Sequence, residues 1–371
     1  MERHSSVAET PVNSVMVQRR SGSKSFRQSY RSCVGAASHL GYTPGLTTRR
    51  LTTSRRAPRS RTVTESVNPE QLSLLVKKEW QLSYVTPLHH FRHTQLRSYS
   101  RQLLAFIVAE KQQGLAVALE GAESSLKVVF SVVEGMATTD DDADTVLIQI
   151  HSKSVFASQD DPRRLVWSGW LTCINGSPDY VRSLPKDFVC LPLLCSSGAQ
   201  WLTSLVKSWL ERAFDCCIGS LDINSVNLQW LAALWTNCHP ESNIGQLKLM
   251  WTLPVDPPLE IAFTVHPQDA WELWSSMRGQ LQEEEQENEG VGEGAGDKDS
   301  VDIDEVTRFI DGLKNHFYRH FRLDLSAGTL SQVSTALGTA KHSGRIKISS
   351  SSYMNATLML LTECALLKMP V

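Results

Sequence analysis

Trp201-Leu-Thr-Ser-Leu-Val-Lys-Ser-Trp-Leu-Glu-Arg-Ala-Phe214 puts Trp201, Leu202, Leu205, Val206, Trp209, Leu210, Ala213 and Phe214 on one continuous apolar stripe at the 3.6-residue period. The spacing predicts a helix, with Ser196 or Ser197 as its N-cap. Short apolar runs at 126–133, 146–153, 165–174 and 188–194 precede it and read as strands. Val146-Leu-Ile-Gln-Ile150 is apolar enough to be buried on both faces. Further strands are predicted at 226–235, 246–253 and 259–266, after which His266-Pro267 turns the chain into a short helix over 267–277. An opening helix spans 69–79. A second helix, 96–111, carries Leu96, Tyr99, Leu103, Phe106 and Ile107 on one face and stops before Gly114. Beyond 300, Val306, Phe309, Ile310, Leu313 and Phe317 mark another helix. Strands at 321–325 and 345–349 and a closing helix at 353–368 complete the chain. Strands and helices alternate without a regular β-α-β rhythm and without internal repeats, so the expected class is α+β: a mixed, largely antiparallel sheet packed with helices.

The 371 residues leave room for one large domain or two ordinary ones. An apolar content of 41% with 20% charged residues fits a folded body with unfolded appendages, and ten Trp supply large buried contacts. The net charge of −2 hides an asymmetry. Residues 1–66 hold twelve Arg and Lys against three Asp and Glu, which leaves −11 on the remainder. This Ser/Thr/Arg-rich segment has too few aligned apolar positions to offset ordering entropy, so a disordered basic tail is expected before a body at 67–371. A disordered acidic insert at about 280–300 is expected to interrupt that body, with eight Asp and Glu and four Gly between Glu283 and Asp299. The tail also has the composition of a mitochondrial transit peptide. Arg pairs extending to Arg61, with no amphipathic helix at the start, count against that reading.

The eight Cys form no C-x-x-C pair, the first thirty residues lack a secretory apolar core, and no apolar run approaches the roughly 18–20 residues of a membrane-spanning helix. Reduced thiols, mostly buried, in a nuclear or cytosolic compartment are the consequence.

The search for chemistry is mostly negative. Gly290-Val-Gly-Glu-Gly-Ala-Gly296 misses the G-x-G-x-x-G spacing and lies in an acidic run that repels phosphate. His316 and His320 share a helical spacing without the Glu of a zincin, and His89, His90 and His93 lack partners that complete a metal shell. Cys195-Ser-Ser-Gly198 reads as a turn, and the adjacent Cys216-Cys217 as packing. No catalytic, cofactor-binding or metal-ligating constellation is expected, and the chain does not read as an enzyme.

The tail arginines Arg49, Arg50, Arg55, Arg56, Arg59 and Arg61 can pair with phosphate without reading base sequence; a merely solubilising tail is the alternative. Phosphorylation at Thr10-Pro11 or Thr43-Pro44 would lower the tail's positive charge. In the body, Arg163 and Arg164 follow a Pro-containing turn and are candidate phosphate contacts. Arg345-Ile-Lys-Ile-Ser349 alternates polar and apolar residues, as an edge strand facing a partner, or an internal strand with one wet face, would.

Several collinear stretches resemble the vertebrate CENP-L family. They include Trp80-Gln-Leu-Ser-Tyr-Val-Thr-Pro-Leu88, Leu96-Arg-Ser-Tyr-Ser-Arg-Gln-Leu-Leu-Ala-Phe-Ile-Val-Ala-Glu-Lys-Gln-Gln-Gly114, Val166-Trp-Ser-Gly-Trp170, Asn227-Leu-Gln-Trp-Leu-Ala-Ala-Leu-Trp235, His316-Phe-Tyr-Arg-His-Phe321 and Gly344-Arg-Ile-Lys-Ile348. The likeness runs from about residue 67 to the end, leaves out the acidic insert and fades across the tail. It implies a structural subunit of the constitutive centromere-associated network, with a curved sheet, at the inner kinetochore of the chromosome in the nucleus. It also implies a heterodimer with CENP-N formed through the C-terminal part. CENP-C, neighbouring inner-kinetochore subunits, the CENP-A nucleosome and linker DNA are implied as further partners, and a membrane is not. A stand-alone nucleic-acid-binding protein using the basic tail is the competing reading; a mitochondrial protein with a basic presequence is the third.

Overall fold

Short apolar runs separated by turns fold here into one wide sheet, and the helices are shared between its two faces. The computed structural model describes residues 55–56, 69–112, 126–137, 142–153, 163–237, 245–288, 300–351 and 353–369, all within one compact unit spanning 47–371. In chain order the elements begin with β1 (Arg55–Arg56), α1 (Pro69–Leu75), β2 (Glu79–Val85), β3 (Leu88–His89), α2 (Leu96–Gln112), β4 (Leu126–Val133), β5 (Thr145–Ser152) and β6 (Arg164–Thr172). They continue with α3 (Pro178–Ser183), β7 (Phe188–Val189), β8 (Leu193–Gly198), α4 (Gln200–Phe214), β9 (Ile218–Ser220), α5 (Ser225–Thr236), β10 (Leu247–Leu253) and β11 (Leu259–Val265). The last are α6 (Pro267–Asn288), β12 (Ser300–Val301), α7 (Ile303–Phe321), β13 (Thr329–Ser334), β14 (Gly338–Lys341), β15 (Arg345–Ile348) and α8 (Met354–Leu366).

Eleven strands form one antiparallel sheet in the order β11-β10-β13-β14-β15-β2-β8-β6-β5-β4, with β9 on the C-terminal part of β2. The protein is therefore α+β, as expected. Alternation along the strands sends side chains to two separate cores. Val146, Ile148, Ile150, Trp167, Leu171 and Leu194 join α2 and α4 on one face. Leu147, Trp170, Leu82, Leu193 and Cys195 point the other way, into a core completed by α5, α7 and α8. Each fully buried Leu or Ile contributes about 1.5–3 kcal/mol, so strands feeding both cores hold the sheet hardest at its centre.

Trp80 lies at that centre. Its ring meets Trp170 edge-on at 5.9 Å, its Nε1 donates to the Leu75 carbonyl at 2.8 Å, and Lys78 Nζ sits 5.0 Å from its ring while donating to Ser168 Oγ. Gly198 ends β8 at φ +132°, where a Cβ would lie 2.5 Å from the Val166 carbonyl oxygen, so only glycine allows β8 to close on β6 and turn into α4.

Several expectations need correction: the opening helix ends at Leu75, with Glu79 already in β2, and the run 188–194 splits into β7 and β8. Residues 226–235 are not a strand but lie within α5, whose N-cap Asn224 accepts from the Asn227 amide at 2.7 Å. Leu228, Trp230, Leu231, Ala232, Ala233 and Trp235 are all buried, and a helix buried nearly all round has no polar face to reveal its period. The N-cap of α4 is Ala199, which makes no side-chain cap bond; Ser196 and Ser197 instead continue β8 against β2 and β6. Residues 321–325 are not a strand: Phe321 ends α7, and Arg322 closes it in the left-handed conformation. The helix expected over 267–277 runs to Asn288, because its Glu-rich extension is good helix-forming sequence. Strands β13 and β14 have too few apolar residues to stand out. The acidic residues 289–299, including Gly290-Val-Gly-Glu-Gly-Ala-Gly296, lie outside the described residues, as do Gly114 and the tail apart from Arg55–Arg56.

Trp80→Ala should lower unfolding stability by about 3–5 kcal/mol, the usual range for deleting a buried Trp ring. The urea unfolding midpoint of the full chain measures this; a loss under about 1 kcal/mol would mean that the sheet centre does not depend on this ring.

Candidate interaction surfaces

The sheet places the candidate residues differently from their expected roles. β15 pairs with β14 on one side and with β2 on the other: Arg345 opposes Lys341 and Gln81, and Lys347 opposes Thr339 and Glu79. Arg345-Ile-Lys-Ile-Ser349 is therefore an interior strand and offers no free edge. Ile346 and Ile348 are buried, Ser349 is partly buried, and Arg345 and Lys347 face outward. Cross-strand bonds tie that outer face together: Lys341 Nζ to Glu79 Oε1 at 3.3 Å, and Arg345 Nε to Gln81 Oε1 at 3.4 Å.

Among the described residues, β4 and β11 end the strand order, each paired on one side only, and the short β9 pairs only with β2. The C-terminal edge has an apolar border. Leu259 opens β11 opposite Leu253, the preceding turn exposes Val255, and Thr252 pairs with Thr329, so the 322–328 segment reaches the sheet at this same end. Phe317 packs on Phe263 at 5.1 Å and anchors the last turns of α7 over the strand. Beyond it, Tyr318, Phe321 and Leu323 are about half exposed, at 47%, 54% and 52%. Sequence reading did assign a strand at 259–266. It could not find the edge, because only strand order shows which strand is last.

Arg163 and Arg164 are exposed at the start of β6, at the opposite end of the strand order. Arg164 opposes Ser152, Leu165 opposes His151, and His151 in turn opposes Lys127. Burial, with the positive charges of Lys127 and Arg163, holds the His151 imidazole below its ordinary value, and its Nδ1 is buried without a hydrogen-bond partner. Lys127, Arg163 and Arg164 bring three positive charges to this corner of the sheet. Of the tail candidates, Arg55 and Arg56 form β1, paired with β12. Arg49, Arg50, Arg59 and Arg61, with Thr10 and Thr43, lie outside the described residues.

The remaining polar clusters are packing features. His316 and His320 are exposed with ring centroids 4.6 Å apart. Among the described residues, no group of three or more His, Cys, Asp or Glu is placed to hold a metal ion, and no helix is long and apolar enough to cross a membrane. Cys173, Cys190, Cys195, Cys216 and Cys364 are buried free thiols, and Cys217 is an exposed one. Burial pushes the Cys195 thiol up and the Cys216 thiol up to about 12, which leaves little thiolate for nucleophilic work.

Because folding favours neutral His151, the unfolded chain binds the proton more readily. The stability from this site is present above the ordinary imidazole value of 6.5 and declines as pH falls through and below it. Lys127→Gln should move the His151 titration, followed by NMR of the imidazole, upward. An unchanged titration would remove Lys127 from the charges acting on it.

The family described as Centromere protein L matches residues 74–366. Centromere protein L of Danio rerio is 56% identical over 371 residues, covering 100% of this chain and 95% of that protein. The Homo sapiens protein is 38% identical over 316 residues, covering 84% and 86%, and the Gallus gallus protein 38% over 306 residues, covering 81% and 83%. The match takes in all eleven strands of the sheet, from β2 to β15, together with its covering helices, and the chain belongs to the centromere protein L family.

Proposed function

We propose that this centromere protein is a non-catalytic structural subunit of the inner kinetochore, located at the centromere of nuclear chromosomes, that pairs with CENP-N through the free edge of β11. The pair then helps to hold CENP-A chromatin and linker DNA, and supports kinetochore assembly and chromosome segregation. CENP-C and neighbouring subunits of the constitutive centromere-associated network are the further partners. The β11 edge carries this reading. Strand addition supplies main-chain bonds, and the exposed Leu259, Tyr318, Phe321 and Leu323 supply the apolar area that a stable interface needs.

DNA contact is assigned to local positive charge, because a body of −11 repels a duplex. Arg163, Arg164 and Lys127 at one corner of the sheet, and the arginines of the basic tail, are the groups that support it. On this reading the isolated body binds DNA weakly and with steep salt dependence.

Removing residues 345–371 would excise an interior strand and the buried α8, so point substitutions on exposed residues are the better test. Co-expression of the full chain with the C-terminal half of CENP-N should give a one-to-one complex by size-exclusion chromatography. Leu259→Glu combined with Phe321→Glu should abolish it while leaving thermal unfolding unchanged. Arg163→Glu with Arg164→Glu should keep the complex but weaken its DNA binding. A complex that survives the Leu259→Glu, Phe321→Glu pair would displace the interface from β11. Two separate peaks for the wild-type proteins at micromolar concentration would move the stand-alone nucleic-acid-binding reading to the front.

A further inference from the structure

Helices α1 and α2 reach the outer side of β4 from opposite faces of the sheet. Leu72 and Leu75 of α1 are buried in one core, and Tyr99, Leu103 and Ile107 of α2 in the other. Each helix places one polar side chain on the backbone of the strand. Ser100 Oγ accepts from the Phe130 amide at 3.1 Å, and Gln71 Nε2 donates to the Val132 carbonyl at 3.1 Å. The Ser100 hydroxyl is itself held by the bond it donates to the Leu96 carbonyl at 3.0 Å, which leaves the oxygen lone pairs for the strand. The Tyr99 ring meets the Phe130 ring at 6.4 Å and sets the helix over the same residue.

The spacing of these two contacts identifies the groups they occupy. In an antiparallel ladder each residue turns its N–H and C=O both toward its partner strand or both away, in alternation. Phe130 and Val132 lie two apart, opposite Ile148 and Val146 of β5, and so belong to one set. Their bonds to α2 and α1 show that this set points away from β5. These are the N–H and C=O groups that an added strand would have to bond. At the other end of the strand order, β11 has no side chain bonded to its backbone among the described residues.

We propose that Ser100 and Gln71 close the edge of β4 against strand addition, so that two helix side chains determine which end of the sheet a partner strand joins. β4 needs such closure. Leu126-Lys-Val-Val-Phe-Ser-Val-Val133 holds four valines, a phenylalanine and a single charge, the composition of a segment that pairs with its own kind when its edge is free. A second copy of this chain, β4 against β4, is the occupant that the closure excludes. An incoming strand must displace both side chains before it gains bonds of its own. The inference rests on strand addition as the mode of pairing argued above for β11, but its readout needs no partner protein. Failure of CENP-N to pair would remove the β11 reading and leave that readout unchanged.

The test compares the full chain with its Ser100→Ala, Gln71→Ala variant by sedimentation. The variant should self-associate about tenfold more tightly than the wild type, the scale set by two hydrogen bonds that no longer have to be broken. Its Phe130 amide should exchange with solvent more slowly as concentration rises. The Ser100→Thr variant keeps the hydroxyl and should behave as the wild type. Adding Leu259→Glu and Phe321→Glu to the Ser100→Ala, Gln71→Ala chain should leave the association intact, which places it at β4. Association lost with that addition, or no gain over the wild type in a folded variant, would overturn the proposal. If the double variant does not fold, hydrogen exchange in the wild type decides. A Phe130 amide that exchanges as slowly as the β4 amides bonded to β5 supports the closure, and one that exchanges at the rate of an open edge overturns it.

Discussion

Strand β2 is the member on which the rest depends. Its residues Gln81–Tyr84 pair with β8, which leads to the sheet half built by β6, β5 and β4. Its other side is shared: Glu79–Gln81 pair with β15, which leads to β14, β13, β10 and β11, and Ser83–Val85 pair with β9. No other strand joins elements so far apart in sequence on both edges. Trp80, tied to the Leu75 carbonyl and set against Trp170, fixes the strand's rotation, and with it which residues enter each core. Slipping the register by one residue would exchange the two faces and send Leu82 and Trp80 out of their core.

From that constraint follows an asymmetric division of the surface. The half carrying β4, β5 and β6 is covered by α2 and α4, and the half carrying β10 to β15 is covered on the opposite face by α5, α7 and α8. Away from the centre, where Leu147 and Trp170 enter the second core, each half leaves a partly polar face. Lys127 and His151 mark one of these faces, and Lys341, Arg345 and Lys347 the other. With both edges of β2 used internally, the strands of the sheet with an unpaired side among the described residues are β4, β11 and the short β9. Arg163, Arg164 and Lys127 on one side and the exposed apolar residues beside β11 on the other lie at opposite ends of the strand order.

Much of this was legible beforehand where a local signal was strong. The stripe from Trp201 to Phe214 and the repeat from Val306 to Phe317 are helices because one face of each is buried and the other wet. The run 126–133 is a strand with the bounds expected from its composition. The reading failed at 226–235, where burial on all sides erased the period. It also missed β13 and β14, where Thr, Ser and Gln lie on the uncovered side of the sheet and Gly338 is buried against Trp235.

The sequence by itself determined the α+β class, the family, the absence of a recognisable catalytic motif and the opposition between a basic tail and an acidic body. These rest on composition, local periodicity and collinear motifs, which need no knowledge of what touches what. Only the tertiary structure decided which strand is an edge. Arg345-Ile-Lys-Ile348 alternates as an edge strand would, yet it is interior because β2, more than 260 residues earlier in the chain, occupies its open side. Strand order is set by contacts between distant residues, and the same alternating pattern suits a strand with one neighbour or with two.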